Sequence, residues 1–324
     1  MSTRKEVAKY AGVSVATVSN VVNNTKFVSD EVRKKVEDAI AALDYRPNMV
    51  ARGLATKETR HVAIMVDNLK NGYYTEMLEG AQLTAGQYGY IVSFILCDFL
   101  NQGGLLDLAS RGLDGMILAT VRAGEVKDLM KYIPCMTQGD LDVDINYAEG
   151  IRQAVHSLKK HGHERIAFLA GTKLAEDGSH LRWDGFRAAC EKEGIRINRK
   201  LAIDANVKQS TDEDAGIEAV QRLLATGEKF TAVMAVNDLM AIGAITELER
   251  NGLRVPEDVS VIGCDNSQLS KYYSPSLSTI DVQVFELGRT LMQNLIHVIR
   301  GDAAERKVIS SGYIERDSVA DAIR

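Results

Sequence analysis

Cysteine is scarce in this chain, and the way it is spaced excludes several classes of protein at once. The 324 residues contain four, Cys97, Cys135, Cys190 and Cys264. No two form a CxxC pair, so they read as buried reduced thiols rather than a disulfide frame or a zinc site. No apolar run approaches the roughly 18 residues of a membrane span. The polar start MSTRKEVAKY has none of the apolar stretch of a signal peptide. These absences predict a cytoplasmic protein without a membrane partner. GxGxxG, Walker, GxSxG and HExxH patterns are all missing, so no catalytic residue and no cofactor is assigned. His161 and His163 in HGHERIA are spaced as a metal pair could be, but no third ligand lies nearby, and no metal is assigned.

What is present is ordinary in composition and uneven in charge. With 45% hydrophobic and 26% charged residues, the chain is globular, and its length has room for about two or three domains. Residues 1–60 carry 11 Lys and Arg against 7 Asp and Glu, and the rest carries 28 against 37. A basic end of net +4 therefore sits on a body of net −9, the footprint of a protein that meets a polyanion by one end.

Within that basic end, AGVSVATVSNVVNN has no charged side chain. Thr3 and Glu6 match a capping box that opens a first short helix, and Gly12 breaks it in the manner of a left-handed C-terminal residue. Ser14 can cap a second helix with Val18, Val21 and Val22 inward. Ser29 can cap a third, with Val32, Val36, Ile40 and Leu43 as its stripe. Three short helices, two joined by a tight glycine turn, are what a helix-turn-helix requires. Small neutral side chains let the second helix lie deep in a major groove, while flanking cations such as Lys5, Lys9 and Arg33 suit phosphates. Beyond it, RPNMVARGLATKETR predicts a weak helix from Asn48 through Leu54, too short to stand without support.

From His61 onward, HVAIMV, YIVSFIL, GMILAT, RIAFLAG, TAVMAV and VSVIGC alternate with helical patterns. Continuous apolar strands between amphipathic helices predict α/β architecture with doubly wound parallel sheets covered on both faces. Polar residues leave the strands at Asp67, Asn68, Asp98, Thr120, Asn237, Asp238, Asp265 and Asn266. Ligands of such sheets bind beyond the carboxyl ends of the strands, and Asp and Asn suit neutral polyols.

KEVAKYAGVSVATVSNVVNN and VSDEVRKKVEDAIAALDYRPNMVARGLAT resemble the headpiece and hinge of the lactose repressor (LacI/GalR) family. GHERIAFLAG, RWDGFRAA, AVNDLMAIGAI, VPEDVSVIGCDNS and SPSLSTI extend the resemblance through the body. It implies a helix-turn-helix headpiece over 1–46, a hinge helix and linker over 47–60, and an effector-binding and dimerisation core over 61–324. The core would divide into two subdomains of periplasmic-binding-protein type, about 61–156 with 281–313 and about 157–280 with 314–324. Carried over by position, Val15, Ala16 and Asn20 face bases, Leu54 enters the minor groove, and Thr3, Thr17, Ser19 and Asn23 hold phosphates. Tyr73, Tyr74, Arg182, Asp184, Asn237 and Asp265 meet the effector.

The implied function is a transcription regulator, a repressor of carbohydrate-utilisation genes. It would bind double-stranded, pseudo-palindromic operator DNA as a homodimer and be switched by a sugar or sugar phosphate. A catabolite-control-type regulator with a phosphocarrier protein as corepressor stays open, as does a small-molecule sensor without specific DNA function. The chain departs from the family at Asn20, where Arg is usual, at Thr211 in place of an aromatic, at Asn71-Gly72 in place of Asn-Pro, and in a shorter 98–114 segment. Its end, VADAIR, has no leucine heptad, so a tetramer by that route is not expected.

Overall fold

A computed structural model describes residues 2–23, 26–46, 53, 58–96, 112–119, 131–137, 143–171, 174, 181–204 and 210–323. The chain divides into two compact units, Met1–Arg60 and His61–Arg324.

The first unit is built on helices α1 (Arg4–Ala11), α2 (Val15–Asn23) and α3 (Asp30–Ala42). The capping box forms as expected: the backbone N–H of Thr3 donates to Glu6 Oε2 (2.6 Å) and that of Glu6 to Thr3 Oγ1 (3.3 Å). Gly12 ends α1 at φ 66°, a left-handed conformation that costs a Cβ-bearing residue roughly 1 kcal/mol or more. Ser14 Oγ accepts from the Thr17 N–H at 3.0 Å. Ser29 precedes α3 but makes no side-chain cap, and the acidic residues Asp30 and Glu31 stand in its first turn, where negative charge suits the helix dipole. Val7, Ala8, Val18, Val21, Val36, Ala39 and Tyr45 form the buried core. Val22, Ile40 and Leu43 pack at its edge, and Tyr45 closes it from beyond the expected stripe. The expected hinge helix, apart from Gly53, and with it Leu54, lies outside the described residues, as do Asp98 and Thr120.

The second unit has two main parallel sheets among its described residues. In the first, β1 (His61–Val66), β2 (Ile91–Leu96), β3 (Gly115–Leu118) and β4 (Cys135–Thr137) lie in the order β2-β1-β3-β4. Helices α4 (Gly72–Gln87) and α10 (Val284–Ile299) pack together beside it. Their backbones approach so closely that a Cβ at Gly80 would stand 2.0 Å from the Phe285 carbonyl oxygen, and one at Gly288 1.8 Å from that of Met77. β2 is apolar apart from Ser93 yet half-exposed, with Ile91 at 70%. The expectation of uniform two-sided cover fails at this edge strand.

The second sheet runs β12-β10-β9-β8-β6-β7: β12 (Gly312–Ile314), β10 (Ser278–Asp281), β9 (Ser260–Cys264), β8 (Ala232–Ala235), β6 (Ile166–Leu169) and β7 (Ala202–Ile203). All neighbours are parallel except β12, antiparallel to β10. Helices α5 (Tyr147–Lys160), α6 (Leu181–Lys192), α7 (Glu213–Ala225) and α8 (Asp238–Arg250) flank it, and the short α9 (Gln268–Tyr272) lies between β9 and β10. A small third pairing joins β5 (Val143–Asn146) in parallel to β11 (Lys307–Ser310).

The chain passes between the two sheets three times, and the passages differ from the expected boundaries. The limit at 156/157 would cut α5, which is continuous because Ile151, Ala154, Val155 and Leu158 bury one face of it. α5 packs on α6 and β12. β12 itself, mostly assigned by sequence to the first subdomain, pairs with β10. The passages thus fall near Asn146, Gln283 and Ser311, and they are bonded together. Ser311 Oγ donates to Asn146 O (2.7 Å) and accepts from the Gly150 N–H (3.0 Å), while Gln283 Nε2 donates to Ser310 O (2.6 Å).

Candidate functional site

On α2 the sequence-predicted base readers Val15 and Ala16 are exposed, Val15 at 42%, and Asn20 is half-buried on the same helix, away from buried Val18 and Val21. The expected phosphate holders are more engaged. Thr3 Oγ1 is within 2.9 Å of Glu6 Oε2 as part of the cap, and Thr17 Oγ1 lies 2.8 Å from Ser14 Oγ. Ser19 Oγ accepts from Asn23 Nδ2 (3.2 Å) and Arg4 Nη1 (3.4 Å). Arg4 also donates from Nε to the Tyr45 hydroxyl at 3.4 Å, so a cation expected at the rim stands beside α2. Residues of this spacing, small and neutral with a cation at the edge, can enter a groove and grip the backbone beside it.

In the second unit Asn71, Tyr73, Tyr74, Arg182, Asn237 and Asp265 line one cavity of about 180 Å³. Each is delivered by a strand end or helix start. Asn71 caps α4, accepting from the Tyr73 N–H (3.0 Å), and the two tyrosine rings meet edge to face at 5.4 Å. Asn237 caps α8 through Oδ1 to the Met240 N–H (2.9 Å) and donates Nδ2 to Thr211 O (2.9 Å). Its side chain therefore shapes the wall. Asp184, expected with this group, is half-buried on α6 with Arg187 Nη1 3.7 Å away, and is not among the lining residues.

Asp265 follows β9 with φ 119° and Asn266 with φ 57°. Two successive non-glycine residues at positive φ store backbone strain, a feature that clusters at ligand sites. Asn266 is held by Arg316 Nη2 (2.6 Å), and the Asp265 N–H by Ile280 O (2.8 Å). Burial pushes the Asp265 carboxyl well above the usual carboxylate range, against the pull of Arg182. Behind it the buried Asp238 accepts from Thr279 Oγ1 (2.5 Å) and the Ser267 N–H (2.7 Å), and burial pushes it up to about 6.

Sequence reasoning missed Tyr147. It begins α5 and accepts from Arg182 Nη2 at 2.9 Å, with the guanidinium carbon 4.4 Å from its ring centre. Burial raises its hydroxyl to about 12. The signal was available in the Asn146 cap, which fixes where the next side chain starts. Two polar atoms of the cavity lining, Arg182 Nε and Asp265 Oδ1, are buried without a hydrogen-bond partner. A donor and an acceptor left in that state cost about 1–3 kcal/mol each, and a polar ligand offering hydroxyl groups would satisfy both. Among the described residues no group of three metal-ligating side chains occurs. His163 is buried between Thr231 Oγ1 and Ala320 O instead.

A helix-turn-helix with a neutral reading helix, and a two-sheet module with a buried polar cavity, define the class of DNA-binding regulator with a small-molecule-binding domain. Comparison with known proteins is consistent at every scale. The model for bacterial regulatory proteins of the lacI family matches residues 3–48, and that for the periplasmic binding protein-like domain residues 155–319. The chain is 32% identical over 343 residues to the HTH-type transcriptional repressor PurR of Vibrio cholerae, covering 99% of each. It is 33% identical over 319 residues to catabolite control protein A of Priestia megaterium, covering 94% of each. Among solved structures, the lac repressor dimer bound to operator and the anti-inducer ONPF matches with a TM-score of 0.85 at 27% identity, over 98% of this chain and 99% of that one. The chain belongs to the lacI family: it is a transcriptional repressor, not an enzyme, with a DNA-binding helix-turn-helix and an effector-binding domain.

Proposed function

We propose that this repressor acts in the cytoplasm on carbohydrate-utilisation genes, binding a pseudo-palindromic operator as a homodimer and responding to a small polyhydroxyl effector in the cavity of Arg182 and Asp265. The observation that carries the effector reading is the pair of unpartnered buried atoms, Arg182 Nε and Asp265 Oδ1. A sugar presents acceptors and donors on adjacent carbons and satisfies both. Val15, Ala16 and Asn20 read bases, and Thr17, Ser19 and Asn23 with Arg4 position the backbone. No described helix is long and apolar enough to cross a membrane. Effector binding biases the relative setting of the two sheets through the bonded passages at Asn146, Gln283 and Ser311.

Selection of bound duplexes from a randomised pool, followed by titration of the selected site with sugars, tests this directly. A twofold-symmetric site whose occupancy changes with a sugar, and no longer does so in Arg182→Leu, is expected. Selection of no symmetric site sinks the operator reading, and a sugar response unchanged in Arg182→Leu sinks the effector site. The likeness to catabolite control protein A supports a second reading, in which a phosphocarrier protein is the corepressor. Tightening of operator binding by that protein in phosphorylated form would separate it from the first.

A further inference from the structure

The second sheet has two ends, and the cavity of Arg182 and Asp265 takes only one of them, since Asp265 follows the carboxyl end of β9. At the amino ends of the parallel strands β6 and β8 lies a separate cavity of about 1030 Å³. Lys160 and His161 at the end of α5, Glu164 and Arg165 before β6, Arg196 beyond α6, and Asp321 in the C-terminal segment line it. That segment is fixed as a wall. The Ala322 N–H donates to His161 O (2.8 Å), and the buried His163 donates from Nε2 to Ala320 O (2.9 Å).

The charges around this cavity do not cancel. Glu164 is answered from outside the lining by Lys159 (3.1 Å), and Asp321 by His161 (2.8 Å). That leaves Lys160, Arg165 and Arg196, and among the described residues none of the three has an ion pair or a side-chain hydrogen bond. The dipole of α5 accounts for Lys160, which stands in its last turn. It does not account for Arg165 or Arg196, which lie past the ends of α5 (Tyr147–Lys160) and α6 (Leu181–Lys192), beyond the reach of that field.

Residues 61–324 carry 37 Asp and Glu against 28 Lys and Arg, so three unanswered cations around one cavity reverse the local sign. A cavity walled by protein and lined by one sign of charge concentrates counter-ions of the other. Guanidinium groups offer paired N–H donors that match phosphate oxygens. A single carboxylate would answer one of the three cations, whereas a run of linked phosphates can meet all of them.

We propose that the amino-end cavity of the second sheet is a further ligand site, for a small molecule carrying two or more linked phosphates, held by Lys160, Arg165 and Arg196. It is separate from the effector cavity and stands whether or not the effector is a sugar.

Inorganic tripolyphosphate is the probe, with sulfate as the single-anion control. The basic headpiece also attracts polyanions, so the readout has to be local: amide exchange of the full-length protein over residues 159–165, 194–197 and 320–323, followed against probe concentration. Protection there is expected to rise to a plateau, with a midpoint about tenfold or more below that of sulfate. Arg165→Gln with Arg196→Gln, checked for folding by its melting curve, is expected to raise that midpoint about tenfold or more, because each change removes a charge-assisted contact. Arg196→Gln alone is the milder variant and should move it in the same direction. Protection that arises only within residues 1–60, a response to sulfate at the same concentrations, or a midpoint unmoved in the variants overturns the site.

Discussion

Tyr147 holds Arg182 by two different contacts, a 2.9 Å hydrogen bond at its hydroxyl and a 4.4 Å approach of the guanidinium carbon to its ring centre. Arg182 is thereby tied to the first residue after the Asn146 passage, so a ligand that engages Arg182 pulls on the connection between the sheets. Tyr147→Phe keeps the ring and removes the acceptor. It is expected to weaken sugar binding about 3–10-fold, the net worth of one ordinary hydrogen bond lost to an aimed group. Calorimetry gives the affinity, and an unchanged melting temperature separates this from general loosening.

The buried carboxyls set a pH dependence of known sign. Both Asp238 and Asp265 have folded values raised by burial from the usual 3.8. The folded state therefore binds more protons at these two sites than the unfolded one in between, and their contribution to stability is full below about 4 and is lost as pH rises through the folded values. For Asp238 the loss runs from about 4 to about 6. Asp265→Asn removes the other contribution in a residue type that tolerates positive φ. Denaturant titrations at pH 5 and pH 8 should show a smaller loss of stability in the variant than in the parent, together with weaker sugar binding.

His161 and His163 both grip the segment near the C-terminus, with opposite responses to protons. His161 Nδ1 meets Asp321 (2.8 Å) and Nε2 meets Glu315 (3.4 Å), chiefly the former raising its value above 6.5. Its contribution is full below 6.5 and is lost as pH rises through the folded value. Burial lowers His163, so its contribution is full above 6.5 and is lost as pH falls through its folded value. The clasp is expected to be strongest near pH 6.5. Protection of the amides of residues 319–322, taken relative to their intrinsic exchange rates at each pH, should be greatest there, and His161→Gln should remove the loss of protection on the alkaline side only.

Gly288→Ala tests the close approach of α4 and α10. An added Cβ would meet the Met77 carbonyl at 1.8 Å, a backbone atom that moves only with its helix. Overpacking of this kind costs about 1–3 kcal/mol or more. Gly194→Ala makes an informative contrast, because a Cβ there meets nothing within 4 Å although φ is 67°. It should cost about 1–2 kcal/mol from the left-handed backbone alone. Chemical denaturation of the two variants gives the comparison.

Asn20→Arg is expected to change which base is preferred at one position of each half-site. Asn pairs with adenine and Arg with guanine, each worth about 1–3 kcal/mol of discrimination. Selection from a randomised half-site pool reads the exchange, and unaltered preference at every position would remove Asn20 from the base-reading set.

The six long apolar runs read in the sequence coincide with β1, β2, β3, β6, β8 and β9; all but β2 are covered on both faces, and such a strand writes itself as a nearly unbroken apolar run. β4, β5, β7, β10, β11 and β12 were not legible. They are two to four residues long, and segments such as Lys307–Ser310 owe their form to pairing with β5 rather than to any pattern of their own. Site residues at strand ends, Asn237 and Asp265, were visible as polar breaks after apolar runs. Tyr147 was not, since it follows a four-residue strand with mixed burial. Asp184 illustrates the limit of transfer by motif: it stands two residues from Arg182 in RWDGF, and a helix turns i+2 away to another side.

Because each lobe is assembled from separate stretches of chain joined by three bonded straps, neither can be inherited, exchanged or expressed as one continuous piece. The straps also leave the lobes a single easy freedom, a twist or rock about the bundle of connections, and oppose their drifting apart. A signal that entered at the proposed effector cavity would thus be delivered as rotation rather than as separation.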